Sequence, residues 1–133
     1  MANPNIVNVT SILGNTSSTL ISSTADPFAG GPYAGGSLVS NAASSGKVYK
    51  INSIVVANVD GSAAADITIK IFPNDDLTGT GTAIVSTISV PADASLVVID
   101  KTTSFYLLED QSIGVTASAA NDLVVTVSWE EIN

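Results

Sequence analysis

The sequence predicts an all-β fold: an antiparallel β-sandwich of about eight strands, jelly-roll-like or immunoglobulin-like, with an extended N-terminal arm. Three observations carry this. No segment keeps a sustained helical period. Short β-branched runs recur at about 8–12-residue spacing with turn residues between them, the pattern of sandwiches and barrels. Hydrophobic residues make up 45% of the chain and charged residues 12%, and a chain so apolar and so poor in charge is not a disordered one.

Taken in order, residues 6–13 alternate and carry no charge, which predicts a first strand punctuated by Gly14-Asn15. Thr19-Leu20-Ile21-Ser22 is a candidate second short strand. Residues 26–46 are rich in Gly, Pro, Ser and Ala without a clear period, which predicts a loop of about 20 residues, a length that is uncommon unless functional or mobile. Residues 48–59 are long enough for one bent strand or two. Asp60-Gly61 is a strong turn signal. Residues 65–72 alternate, with Ile67, Ile69 and Ile71 expected inward. A polar loop at 73–81 precedes a strand over 83–90, and Pro91 to Ala94 turns the chain. Leu96 to Ile99 reads as a buried strand. After Phe105 to Leu108 and a Glu109-Asp110 turn, a strand over 111–117 holds Gly114, which suggests a bulge or a close backbone approach. Residues 123–129 form the last strand, with Trp129 in phase with Val125 and Val127 and expected in the core. The chain thus divides into an arm (1–24), a Gly/Pro/Ser-rich loop (25–46) and a sandwich core (47–133).

The composition excludes several function classes. The chain has no His and no Cys, and its only cations are Lys47, Lys50, Lys70 and Lys101, against 12 acidic residues and a net charge of −8. Without His, the many Ser and Thr hydroxyls lack the usual activating base. The pairs Asp75/Asp76, Glu109/Asp110 and Glu130/Glu131 are sequence neighbours, so in extended chain their side chains diverge instead of converging on one substrate. No enzyme activity, cofactor or metal is expected. Residues 74–79 offer oxygens to calcium but lack EF-hand spacing, and a solvated turn is the better reading. Four lysines do not suit a phosphate backbone or an anionic bilayer, so neither nucleic acid nor membrane is an expected partner. The first residues lack a basic and an apolar region of a signal peptide, so the chain is expected to be made in a cytosol.

What remains is material for surfaces. Edge strands are usually protected by charge, Pro or a partner, and four lysines protect little. Residues 6–13 are a candidate strand donor to another copy, although pairing within their own sheet is the slightly better expectation. Ile6, Val7 and Val9 in the arm, with Phe28 and Tyr33 in the Gly-rich loop, are the candidate assembly-interface residues.

From Lys47 to Ile132 the chain resembles small virion structural proteins of marine tailed phages, notably those infecting cyanobacteria. The residues that carry the resemblance are Lys50-Ile51-Asn52-Ser53-Ile54-Val55-Val56-Ala57-Asn58-Val59-Asp60-Gly61 with Ala65-Asp66-Ile67-Thr68. They continue as residues 88–101, from Ile88-Ser89-Val90-Pro91 to Ile99-Asp100-Lys101. Tyr106-Leu107-Leu108-Glu109-Asp110-Gln111-Ser112-Ile113 and Ser128-Trp129-Glu130-Glu131-Ile132 complete it, and the opening Asn3-Pro4-Asn5-Ile6-Val7-Asn8-Val9 is also similar. About two thirds of the chain is covered; the loops at 26–46 and 74–81 are longer than the resemblance leads one to expect. It implies a repeated, non-enzymatic particle component located in the virion. The expected role is capsid decoration (cement), with the major capsid protein or other virion proteins as partners and a homo-oligomeric state. The alternatives are a tail- or neck-associated appendage or fibre protein, and a receptor- or glycan-binding β-sandwich.

Overall fold

The structure, a computed structural model, describes residues 6–22 and 37–133. Among these there are nine strands and no helix: β1 (Ile12–Leu20), β2 (Val39–Asn41), β3 (Val48–Asn58), β4 (Ala65–Phe72), β5 (Thr82–Val90), β6 (Ser95–Ile99), β7 (Phe105–Leu107), β8 (Gln111–Ala117) and β9 (Leu123–Ile132). They form two antiparallel sheets. One has the order β1-β9-β3-β6, with β7 also paired to β3; the other is β2-β8-β4-β5. β6 and β7 share one edge of β3, β6 against Ile54 to Ala57 and β7 against Tyr49 to Ile51. They act as one interrupted strand, so eight strand positions are filled.

This order is that of a jelly roll. The chain pairs like one long hairpin, β1 with β9, β2 with β8, β3 with β6 and β7, and β4 with β5. Folding that hairpin over adds the β3–β9 and β4–β8 pairings and places β1, β2, β3 and β4 in alternate sheets. Of the two sandwich types expected, the jelly roll is the one observed.

The core lies between the sheets. Ile51, Ile54 and Val56 of β3 and Val125 and Val127 of β9 face Ile67 and Ile69 of β4 and Ile113 and Val115 of β8, and all are fully buried. Successive side chains of a strand point to opposite faces, and one face of each of these strands enters this layer. Trp129 packs half-buried against it, in phase with Val127 as expected.

Several local expectations are corrected. The first strand runs from Ile12 to Leu20, not over 6–13, and Gly14-Asn15 lies inside it; the candidate strand at 19–22 is its end. Continuous pairing with β9 from Ile12↔Ile132 to Leu20↔Val124 outweighs the turn preference of Gly-Asn. This pairing is made within the chain's own sheet. The expected segment 48–59 forms one strand, Val48–Asn58, bent by the extra residue Asn52 where the β3–β9 register shifts. Residues 37–46 are not all loop: β2 crosses there, with Leu38 and Val39 buried. Along β4, Ile67, Ile69 and Ile71 face inward as expected, Ile71 packing half-buried against the core, and Phe72 at the strand end is buried as well. Leu96 to Ile99 is not a buried strand, since β6 is an edge and Val97 is 59% exposed. Gly114 sits in regular register opposite Lys70, with no bulge in the β4–β8 pairing. The loop after β4 is not purely solvated, because Leu77 is buried and its N–H donates to Ser112 Oγ at 3.2 Å.

Candidate assembly edge and surface cleft

A sandwich has four edge strands, and each is a template for pairing unless it is blunted. β2 is blunted by length, at three residues. The β6–β7 edge is broken into pieces of five and three residues. β5 is nine residues long and uncharged, but its pairing with β4 shifts register twice. Thr87 there adopts a left-handed φ of 48° and donates its N–H to Thr68 Oγ1 at 2.9 Å. Such bulges twist an edge away from further pairing.

β1 has none of these protections. Its nine residues, Ile-Leu-Gly-Asn-Thr-Ser-Ser-Thr-Leu, contain no charge and no Pro, and its register with β9 never shifts. Among the described residues no strand pairs with its other side. The direction of its backbone groups follows from its flanks. Ser11 and Asn133 exchange hydrogen bonds at 3.1 and 3.0 Å, and Ile21 N–H donates to Leu123 C=O at 2.9 Å. Antiparallel pairs alternate between bonded and non-bonded, so residues 13, 15, 17 and 19 bond to β9. Ile12, Gly14, Thr16, Ser18 and Leu20 therefore turn their N–H and C=O to the open edge. Their side chains share the outer face of the sheet, where Ser18 and Thr126 hydroxyls meet at 2.7 Å and Thr16 donates to Ser128 at 3.4 Å.

Inward-facing residues brace this edge. Asn15 Nδ2 donates to Glu131 Oε1 at 3.3 Å, and Lys47 Nζ meets Glu131 Oε2 at 2.8 Å. The hydrogen bond and charge of Glu131 raise the Lys47 ammonium above its ordinary pKa. Burial, and then the same carboxylate, raise the Tyr49 phenol. β1 is thus tied to β9 along its length, while among the described residues no strand covers its far side.

The candidate interface residues divide. Ile6 and Val7 are exposed, Val7 to 91%, and Val9 is half-buried. They precede Ile12 and Leu13, which are 61% and 59% exposed. Phe28 and Tyr33 lie outside the described residues. The edge itself was not singled out as an open strand; the signal that marks it in the sequence is nine residues without a charge.

A second feature is an open cleft of about 550 Å³ on the outer face of the same sheet. It forms where β6 ends and β7 has not begun, leaving β3 uncovered beside its bulge. Lys50, Ser53 and Glu130 line it from the sheet, and Val97, Ile99 and Lys101 from β6 and the following turn. Asp100 is absorbed by that turn, accepting from Thr102 N–H and Oγ1 at 2.8 and 2.6 Å, and these bonds lower its carboxyl below the ordinary range. Tyr106, the cross-strand neighbour of Lys50, is 46% exposed. Among the described residues no three acidic side chains gather to hold a metal ion, and no helix is long and apolar enough to cross a membrane.

No family model matches the chain, and neither the curated proteins nor the solved structures contain a match. The molecule is therefore defined by its architecture, a jelly-roll sandwich in which β1 is, among the described residues, an uncovered edge without a charge or a register shift.

Proposed function

We propose that this chain is a non-enzymatic structural protein of a phage particle, a decoration (cement) protein that docks on the major capsid protein lattice and stabilises the head. The observation that carries the reading is the run of exposed apolar side chains, Ile6, Val7, Ile12 and Leu13, leading into the unblunted edge of β1. Exposed apolar chain beside unpaired backbone is the material of an interface. The resemblance of residues 47–132 to virion structural proteins of tailed phages, and a composition without His or Cys, support the same reading. Its physical role is to bury apolar surface and strand edge against neighbours, so that the shell resists internal pressure.

The test is the ratio of this chain to the major capsid protein in washed, intact particles. Copies in the hundreds are expected, and a count of a dozen or fewer supports a neck or tail appendage instead. Absence from the particle overturns both. The double substitution Ile6→Ser with Val7→Ser is expected to release the protein from particles while its circular dichroism is unchanged.

A glycan-binding role is the second reading, favoured by the placement of exposed Tyr106 beside the cleft at Lys50, Ser53 and Glu130. An aromatic face with a few polar groups is a common ligand platform. Retention on a glycan array that Tyr106→Ala abolishes would favour it.

A further inference from the structure

We infer that β1 is a self-complementary seam: two copies of this chain pair β1 to β1 antiparallel, about a two-fold axis through Thr16, joining their sheets into one. The inference deepens the proposed assembly role by naming a partner, a second copy, but it is a property of the isolated chain and stands or falls without a particle.

Three observations select a second copy. The first is the backbone. Ile12, Gly14, Thr16, Ser18 and Leu20 present N–H and C=O groups outward, as the bonding of Ser11 with Asn133 and of Ile21 with Leu123 requires. An antiparallel copy centred on Thr16 sets Ile12 opposite Leu20 of the partner subunit, Gly14 opposite Ser18, and Thr16 opposite itself. Every outward-facing residue then meets another outward-facing residue, and the whole strand overlaps. Any other centre leaves one end unpaired.

The second is the side chains. Ile12 and Leu20, at opposite ends of the strand, are 61% and 43% exposed on the same face. The two-fold brings them together twice, once at each end, while the middle is filled by the small polar residues Gly14, Thr16 and Ser18. Cross-strand apolar pairs are the unit of sheet stabilisation.

The third is charge. The chain carries −8, so copies repel one another over most of their surface. Ile12–Leu20 carries no charge, and it is the long, regular edge on which two acidic molecules approach without setting like charges in register. β5 is also uncharged, but its two register shifts deny a partner strand a straight template.

Sedimentation of the purified full chain tests this. A dimer is expected at high micromolar concentration. Thr16→Lys sets two like charges opposite each other on the axis and is expected to weaken the dimer by about tenfold or more in Kd, with unchanged circular dichroism. Because the chain has no Cys, Thr16→Cys gives a second readout. Directly opposed residues of a bonded antiparallel pair sit about 5.5 Å apart at Cα, within disulfide range, so oxidation or a short bis-thiol reagent should give a covalent dimer. Ser86→Cys on β5 should not. A monomeric wild type, a folded Thr16→Lys protein that dimerises as before, or equal cross-linking at both positions overturns the seam. A dimer that is absent from phage particles keeps the seam and removes the decoration role; the converse result does the reverse.

Discussion

Asn58, at the end of β3, donates a hydrogen bond of 2.9 Å to the carbonyl of Val90 at the end of β5, tying one sheet to the other. Its amide also donates to Ala63 C=O at 2.9 Å, and its oxygen accepts from Asp60 N–H at 2.9 Å. At the far end of β3, Asn41 of β2 plays the matching part. It donates to Lys47 and Leu107 carbonyls at 3.0 and 3.2 Å and accepts from Ser45 Oγ at 2.6 Å. Both side chains are buried, so each end of the sandwich is closed by one saturated amide.

Removing either amide leaves buried carbonyls without a donor. Asn58→Ala or Asn41→Ala is expected to cost about 1–3 kcal/mol. That lowers the thermal midpoint by roughly 4–11 °C for a chain of this size. Differential scanning calorimetry of each variant checks it, and a shift near zero would show that water replaces the amide.

Core and edge positions should respond very differently. Ile54 is fully buried between Val127 and Ile99, and Ile54→Ala is expected to cost about 2–5 kcal/mol. Val97 on β6 is 59% exposed, and Val97→Ala should stay within about 0.5 kcal/mol of wild type. Urea titration of both measures the contrast.

Two glycines predict opposite signs. A Cβ on Gly81 would lie 2.7 Å from Phe72 ring carbons Cε1 and Cζ, and Phe72 is buried. Gly81→Ala is therefore expected to cost about 1–3 kcal/mol through overpacking. A Cβ on Gly14 meets nothing within 4 Å. There Ala removes the strand penalty of Gly, and Gly14→Ala is expected to stabilise by about 0.5–1 kcal/mol. Paired melting curves decide both signs.

Alkali should loosen the β1–β9–β3 corner. Lys47 and Tyr49 both have folded pKa values raised above their ordinary 10.5 and 10.0. For each, the unfolded chain releases its proton first, so the associated stability is fully present below the unfolded pKa. It is lost as pH rises through the folded one. Stability should thus be flat between about pH 8 and 9 and fall above about pH 10. Glu131→Gln removes the partner of both groups and should reduce that fall, as read by stability curves across pH 8–12.

The fold class was legible in the sequence because β-branched alternation reports burial directly, as in Ile67 and Ile69 or Val125 and Val127. Asp60-Gly61 and Pro91-Ala92-Asp93-Ala94 marked turns that exist. Boundaries failed where tertiary pairing outweighed local preference. Gly14-Asn15 has the composition of a turn, yet it lies mid-strand because β9 runs alongside it. β2 was missed because three residues cannot display a period. Leu77 was missed because a buried leucine in a polar loop is set by Ser112 on the neighbouring strand β8, about 35 residues further along the chain, which local reading does not see. The assembly edge was half legible: Ile6 and Val7 stood out as apolar, while the open side of β1 emerges only once β9 is known to occupy the other.

β9 lies between β1 and β3 in its sheet, although among the described strands it is the last to be synthesised. On the ribosome, β1 and β3 therefore wait without the strand that joins them, and half of the sandwich cannot close until residues 123–132 have emerged from the exit tunnel. A nascent chain stalled before Leu123 would hold a completed β4–β8 sheet beside two orphaned ribbons. Such arrested chains should be protease-sensitive at residues 12–20 and 48–58, and they are the species most in need of a chaperone.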